Sequence, residues 1–228
     1  MQRLRAESKR PGTLKAARTP TLFGENRQPQ VDYLGVPQTF SENRLYATAA
    51  RLSADVIANM KLFTIPDPDG FVFGVISSAA FIAWQKAIGG RMKSDPSFSN
   101  TLVWNNFPFP AISANQRAAI IAGGQAVLDA RATITNNAVA TGRDEPQGAP
   151  LIRRDKPTLA DLYQPLAMSP LLIAAHDQLD RAVDAVFGLK SPTDAQRLAA
   201  LFKSYEQMTV AGQLPISKPK RSNKNRPS

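Results

Sequence analysis

The stretch that most constrains this chain is residues 71–90, FVFGVISSAAFIAWQKAIGG. At helical spacing, Phe71, Val75, Ala79 and Ile82 form one apolar stripe, and Val72, Ile76, Ala80 and Trp84 form an adjoining one. A helix that is apolar over most of its surface is buried. The run from Phe71 to Ala83 is too short to span a bilayer, which takes about 20 residues. Asp67-Pro68-Asp69-Gly70 precedes it as a strong turn signal, and Gly89-Gly90 stops it. The spacing therefore predicts one largely buried helix from Phe71 to the glycine pair. An apolar strand over 71–76 followed by a shorter helix is the second choice.

The texture differs on the two sides of this element. Upstream, residues 1–29 mix charge, Pro and Gly and read as irregular at least to Thr21. Three short runs rich in β-branched and aromatic residues follow, QVDYLGVP, RLYATAARL and VIANMKLFTIP, each ending in turn chemistry. Downstream of Pro110, helix starts dominate. Ser113-Ala114-Asn115-Gln116 is a capping box leading into Ile120, Ile121, Val127 and Leu128. Residues 133–157 read as a long surface loop. Thr158 caps a short helix through Leu162 and Tyr163. Ser169-Pro170 opens a helix through Leu172, Leu179, Val183 and Val186 that stops at Gly188, and Ser191-Pro192 repeats the device before Leu198, Leu201, Phe202, Tyr205 and Met208. The fold class is α+β, a mixed α/β part over 21–110 followed by a helical part over 111–212. A basic irregular segment, 1–20, and a basic tail, 213–228, flank them.

Composition removes several chemistries. With no cysteine there is no disulfide, thiolate metal site or cysteine nucleophile, and with one histidine there is no multi-histidine cage. The N-terminus has no apolar core between its arginines, so it does not read as a secretory signal. A soluble, cytoplasmic protein with no membrane partner is expected. The net charge of +10 is confined to the ends. Residues 1–18 set Arg3, Arg5, Lys9, Arg10, Lys15 and Arg18 against Glu7, and residues 216–228 carry five basic residues and no acid; the body between holds 17 basic and 17 acidic residues. Such ends attract polyanions, and they occur equally as mere solvated termini.

Asn105-Asn106-Phe107-Pro108-Phe109-Pro110 invites comparison with the loop by which DNA amino-methyltransferases hold their target base. That loop needs Asn or Asp followed at once by two prolines and an aromatic, so that an amide and a proline carbonyl meet the amino group while the ring stacks on the flipped base. Here Phe107 follows Asn106 and Phe109 splits the prolines, so the pair cannot form. No glycine-rich loop after a strand, of the kind that holds S-adenosylmethionine, appears. Gly89-Gly90 and Gly123-Gly124 lack the Lys-Ser/Thr ending of a phosphate loop. His176, beside Asp177 and Asp180, reads as a half-buried helix residue bonded to a neighbour. Asp67 and Asp69 read as turn residues, and Trp84 and Trp104 as core. No catalytic residue, metal site or small-molecule substrate is expected.

Lys93 and Asp95 stand apart. Opposite charges two residues apart in an extended loop project to one side. A lysine donates to guanine O6 and N7, and an aspartate accepts from the N4 amino group of the paired cytosine. Together they could read one G·C pair. The competing reading is a weak charge pair in an ordinary exposed loop.

The string GRMKSDPSFSNTLVWNNFPFP, with the helix before it, resembles the end of the target-recognition domain of MmeI-like (type IIL) restriction-modification enzymes. Tyr33-Leu34-Gly35-Val36-Pro37 and Phe40-Ser41-Glu42-Asn43-Arg44-Leu45-Tyr46 look like an upstream element of that domain. Leu159 to Pro165, His176 to Asp184, and Arg197 through Leu201-Phe202 to Tyr205 resemble the family's C-terminal helical domain. The resemblance runs in order over about residues 30–210. It implies double-stranded DNA as partner, together with an adenine-N6 methyltransferase domain or subunit. S-adenosylmethionine is then expected in that catalytic part and no cofactor in these residues. It implies base readout by Lys93 and Asp95, with G selected on the strand that Lys93 reads. It also implies that Arg44 and Arg91 support the loop or touch phosphate, with Ser41, Ser94, Ser97, Ser99 and Asn100 as lesser contacts. Two departures stand out: Pro96-Ser97-Phe98 replaces a basic element, and Asn43 stands where the family places an arginine.

Overall fold

A computed structural model of the chain describes residues 2–21, 28–140 and 156–212. The first segment is not irregular. It forms two short helices, α1 (Gln2–Ala6) and α2 (Pro11–Ala17). Pro11 starts α2 because its fixed φ suits a first helical turn and its missing N–H would have no partner there. Arg5 donates from Nη1 to the carbonyls of Ala16 and Pro20, 3.2 Å each, tying the two together.

The three β-like runs become a small antiparallel sheet. β1 (Tyr33–Pro37) is central, flanked by β2 (Ala50–Leu52) and β3 (Leu62–Pro66). Tyr33 stands opposite Leu52 on one side and Pro66 on the other. Tyr33, Leu34 and Val36 are fully buried, as a strand covered on both faces requires.

The apolar run after the Asp67–Gly70 turn is buried, but it is two helices rather than one: α3 (Phe71–Ile76) and α4 (Ala79–Ile88). Ser77 and Ser78 break it. Ser78 adopts an extended conformation and its Oγ accepts from the Phe81 amide, which makes it a new N-cap. The first amide of α4, Ala79, donates to Asp180 at 2.7 Å, so a partner more than 100 residues away holds the break open. Asp67 is itself fully buried. Its two carboxylate oxygens accept from Val72 and Phe73 amides, 3.0 Å each, and cap α3. After α4 come a hairpin, β4 (Gly90–Met92) and β5 (Asp95–Ser97), and a π-helical turn, Asn100–Trp104.

The helical part is α5 (Ala114–Ala140), α6 (Leu159–Leu162), α7 (Pro170–Val186) and α8 (Asp194–Val210). Ser113 and Gln116 form the expected capping box. The loop expected over 133–157 is helical as far as Ala140; residues 141–155, like the tail 213–228, lie outside the described residues. α8 starts later than Ser191-Pro192 implies. Thr193 is its cap, in a box with Gln196, while Ser191 takes a left-handed φ of 45° in the connection. Among the described residues no helix is long and apolar enough to cross a membrane.

One buried cluster joins the two parts, from Leu34 and Val36 through Phe81 and Trp84 to Leu172, Leu179 and Leu201. Glycine lets the backbones meet. A Cβ on Gly74 of α3 would lie 2.8 Å from the Ile120 carbonyl of α5, and one on Gly123 would lie 3.0 Å from the Leu179 Cα of α7. The Gly123-Gly124 pair is thus a helix-packing device inside α5.

Candidate nucleic-acid interface

Lys93 and Asp95 sit at the tip of the β4–β5 hairpin. The extended loop in which they were expected is instead a reversal. Met92 pairs with Asp95, so Lys93 and Ser94 make a two-residue turn. Lys93 is the first turn position and has φ 59°. Hairpins of this length twist correctly only with positive φ at that position, which is where glycine is favoured. A lysine there carries strain of about 1–2 kcal/mol. The extended-chain argument for a shared direction therefore does not apply, but the two charges still occupy one tip. Lys93 is exposed and Asp95 half-buried.

Loop 40–46 lies against this hairpin. The Phe40 amide donates to the Pro96 carbonyl at 3.3 Å, and the Glu42 amide donates to Asp95 Oδ1 at 3.2 Å. Arg91 Nη1 donates to the Ser94 carbonyl at 2.9 Å and stands 3.8 Å from a Glu42 carboxylate oxygen. Arg91 thus supports the turn. The Ser41 carbonyl accepts from the Arg44 amide, and the Arg44 carbonyl accepts from Lys86 Nζ at 3.3 Å. Lys86 and Arg91 thus each reach this loop, at Arg44 and at Glu42, while Lys93 sits on the hairpin tip two residues beyond Arg91. Lys86, in the last turn of α4, was missed in the sequence because nothing local marks it.

The other expected contacts divide by geometry. Ser94 is exposed at the turn. Ser97 pairs with Gly90 and bridges to Thr39, and its carbonyl accepts from Gln85 at 3.1 Å. Ser99 caps the π-helical turn by accepting from the Leu102 amide at 3.1 Å. Asn100 stays exposed, its Oδ1 accepting from the Thr101 amide. Residues 105–110 are structural. Asn106 donates its amide to the Thr101 and Leu102 carbonyls, 2.9 Å each, and Phe107 packs against Phe81, Trp84 and Phe187. Pro108 offers its carbonyl to Ser204 of α8.

His176 is fully rather than half buried, and its partner is neither neighbouring aspartate. The Tyr163 hydroxyl lies 2.7 Å from its Nε2, and Tyr46 stacks on its ring at 3.7 Å. Arg131 donates twice to the same hydroxyl, at 2.6 and 2.9 Å. Since arginine only donates, the hydroxyl hydrogen goes to Nε2, which leaves a neutral imidazole protonated on Nδ1. Burial and the Arg131 charge hold its pKa down at about 3. Asp180 accepts from Tyr46 Oη at 3.0 Å as well as from Ala79, and burial pushes its pKa up to about 6 despite both bonds. Arg131 also donates to the Ala49 carbonyl at 2.8 Å. The loop that touches the hairpin at Phe40 and Glu42 is therefore fastened at its other end into the helical part.

Comparison with known proteins converges on one family. Residues 1–111 match the profile described as "MmeI, target recognition domain" and residues 112–211 the one described as "MmeI, C-terminal domain". Over 206 residues the chain is 32% identical to DNA methyltransferase A of Bacillus subtilis (strain 168), spanning 90% of this chain and 21% of that protein. A solved structure of the Type IIL restriction-modification enzyme MmeI in complex with DNA superposes with a TM-score of 0.71 at 34% identity, over 92% of this chain and 25% of that one. The chain thus spans about a fifth to a quarter of the length of these relatives.

Proposed function

This chain belongs to the MmeI family, carrying its target recognition domain followed by its C-terminal domain, and from that premise we propose that it is the sequence-reading module of an adenine-N6 DNA methyltransferase. It docks duplex DNA while a catalytic domain, in the same protein or as a partner subunit, flips and methylates the adenine. The observation that carries this reading is the hairpin tip. A non-glycine residue is held at φ 59° in a turn position that favours glycine, two residues from a half-buried carboxylate, in a turn whose Ser94 carbonyl is held by Arg91. Strained positions of this kind cluster at functional sites, and unlike Ser191, in a connection between helices, this one lies on an exposed hairpin tip between Arg91 and Asp95. Lys93 donates to guanine and Asp95 accepts from the paired cytosine, while Arg44 and Lys86 contact phosphate and fix register.

Among the described residues, the glycine pair and the strand and helix-end glycines do not form a loop that would hold S-adenosylmethionine. Gly123 and Gly124 lie inside α5 against Leu179 and Gly74, Gly35 lies mid-strand, and Gly89 follows a helix. The methyl donor belongs with the catalytic domain.

Selection of duplexes from a randomised library by the wild-type chain and by a Lys93→Glu, Asp95→Arg double variant tests the readout. One position of the preferred site moves from G toward C, with discrimination on the order of 1–3 kcal/mol. If no position moves, the assignment is wrong.

A further inference from the structure

Resting on that reading, we propose that Glu42 is the positioning residue of the base-reading hairpin, holding Asp95 and the Lys93 turn in register without itself reading a base. Glu42 acts at two points. Its backbone amide donates to Asp95 Oδ1 at 3.2 Å, which occupies one carboxylate oxygen and leaves Oδ2 as the acceptor for a cytosine amino group. Its side chain faces Arg91 at 3.8 Å, and Arg91 in turn donates at 2.9 Å to the Ser94 carbonyl, inside the strained turn that carries Lys93. A carboxylate facing a polyanion is otherwise a liability. The Glu42 side chain is 43% exposed and faces Arg91, where a neutral residue would let Arg91 swing to phosphate.

The loop can transmit position because it is rigidly held. Phe40 is bonded to Pro96 on one side. On the other, Tyr46 is bonded to Asp180 and stacked on His176, and the Ala49 carbonyl is taken by Arg131. Glu42 lies between these anchors, so the hairpin is referenced to the helical core rather than to its own weak two-strand ladder.

The test compares the full chain with its Glu42→Ala and Glu42→Gln variants. Each is titrated against a duplex with the preferred G·C pair and against one with that pair inverted, at several salt concentrations. Glu42→Ala keeps the backbone amide on Asp95 and removes only the carboxylate that faces Arg91, and with that loss the ratio of the two affinities falls by about fivefold or more, within the range one base pair's contacts can supply. Affinity for the inverted duplex rises, with a salt dependence steeper by about one phosphate contact as Arg91 is released. Glu42→Gln, which keeps an oxygen acceptor for Arg91, retains most of the ratio. An unchanged ratio in Glu42→Ala overturns the proposal, and so does a proportional loss for both duplexes with a lowered Tm, which is the mark of a merely structural residue. A wild-type chain without preference at that pair would overturn the readout by Lys93 and Asp95 as well. A clear wild-type preference that survives Glu42→Ala would sink only the role given to Glu42.

Discussion

The hairpin tip and the buried seam between the recognition and helical parts each centre on an aspartate, and the two aspartates are used in opposite ways. Asp180 lies in the core with both oxygens occupied, one by Tyr46 and one by Ala79. Asp95 is half-buried, with Oδ1 taken by a single long bond from Glu42 and, among the described residues, no hydrogen bond to Oδ2. A buried carboxylate stripped of water must satisfy itself within the fold, so nothing is left for a ligand. A carboxylate at a rim can keep a lone pair in water until a partner arrives. The difference separates a carboxylate that builds the platform from one to which we assign the reading of a base.

The strongest challenge to this contrast comes from truncating each aspartate. Asp180→Ala leaves the Tyr46 hydroxyl and Ala79 amide unpaired in the core, a cost of about 3 kcal/mol, and lowers Tm by on the order of 10 °C. Asp95→Ala should leave Tm nearly unchanged yet abolish the cytosine contact. Calorimetry and duplex titration on both variants would break the comparison if Asp95→Ala proved the less stable.

A smaller effect is expected at Lys93. Replacement by glycine relieves the left-handed strain of about 1–2 kcal/mol and costs about 0.5–1 kcal/mol of added chain entropy. The Lys93→Gly hairpin should therefore be as stable as wild type or slightly more so while losing preference for G. A marked drop in Tm would show that the lysine is there for the fold.

The smallest effect is in pH. Asp180 has a folded-state pKa raised to about 6, so the folded chain binds more protons than the unfolded one between about pH 4 and 6, and stability rises as pH falls through that window. His176, lowered to about 3, does the reverse, contributing stability above its ordinary value of 6.5 that is lost as pH falls toward 3. Tyr46, Asp184 and Arg197 also face Asp180, and Arg131 faces His176. Because the two trends oppose, the wild-type Tm should change little between pH 6 and 4. Asp180→Asn should turn this nearly flat profile into a fall toward acid, and His176→Gln should turn it into a rise. Parallel profiles for all three proteins would refute the assignment.

Much of the architecture is written in local chemistry. The strand at Tyr33–Pro37, the turn at Asp67–Gly70, the capping box at Ser113–Gln116 and the stop at Gly188 each depend on residues within a few positions of one another, so sequence alone places them. The MmeI-like order of motifs from Tyr33 to Tyr205 is legible for the same reason, and so are the two charges at 93 and 95. What the sequence could not place is whatever depends on a distant partner. The single helix expected after Gly70 breaks at Ser77-Ser78 because Asp180 takes the Ala79 amide. The burial of His176 follows from Tyr46, Tyr163 and Arg131, on three other elements. The reversal at Lys93 follows from pairing Met92 with Asp95, and Glu42 meets Asp95 from 53 residues away. Local propensity fixes which residues start and stop each element, but only packing decides which polar groups must find partners inside the fold and which stay at its surface.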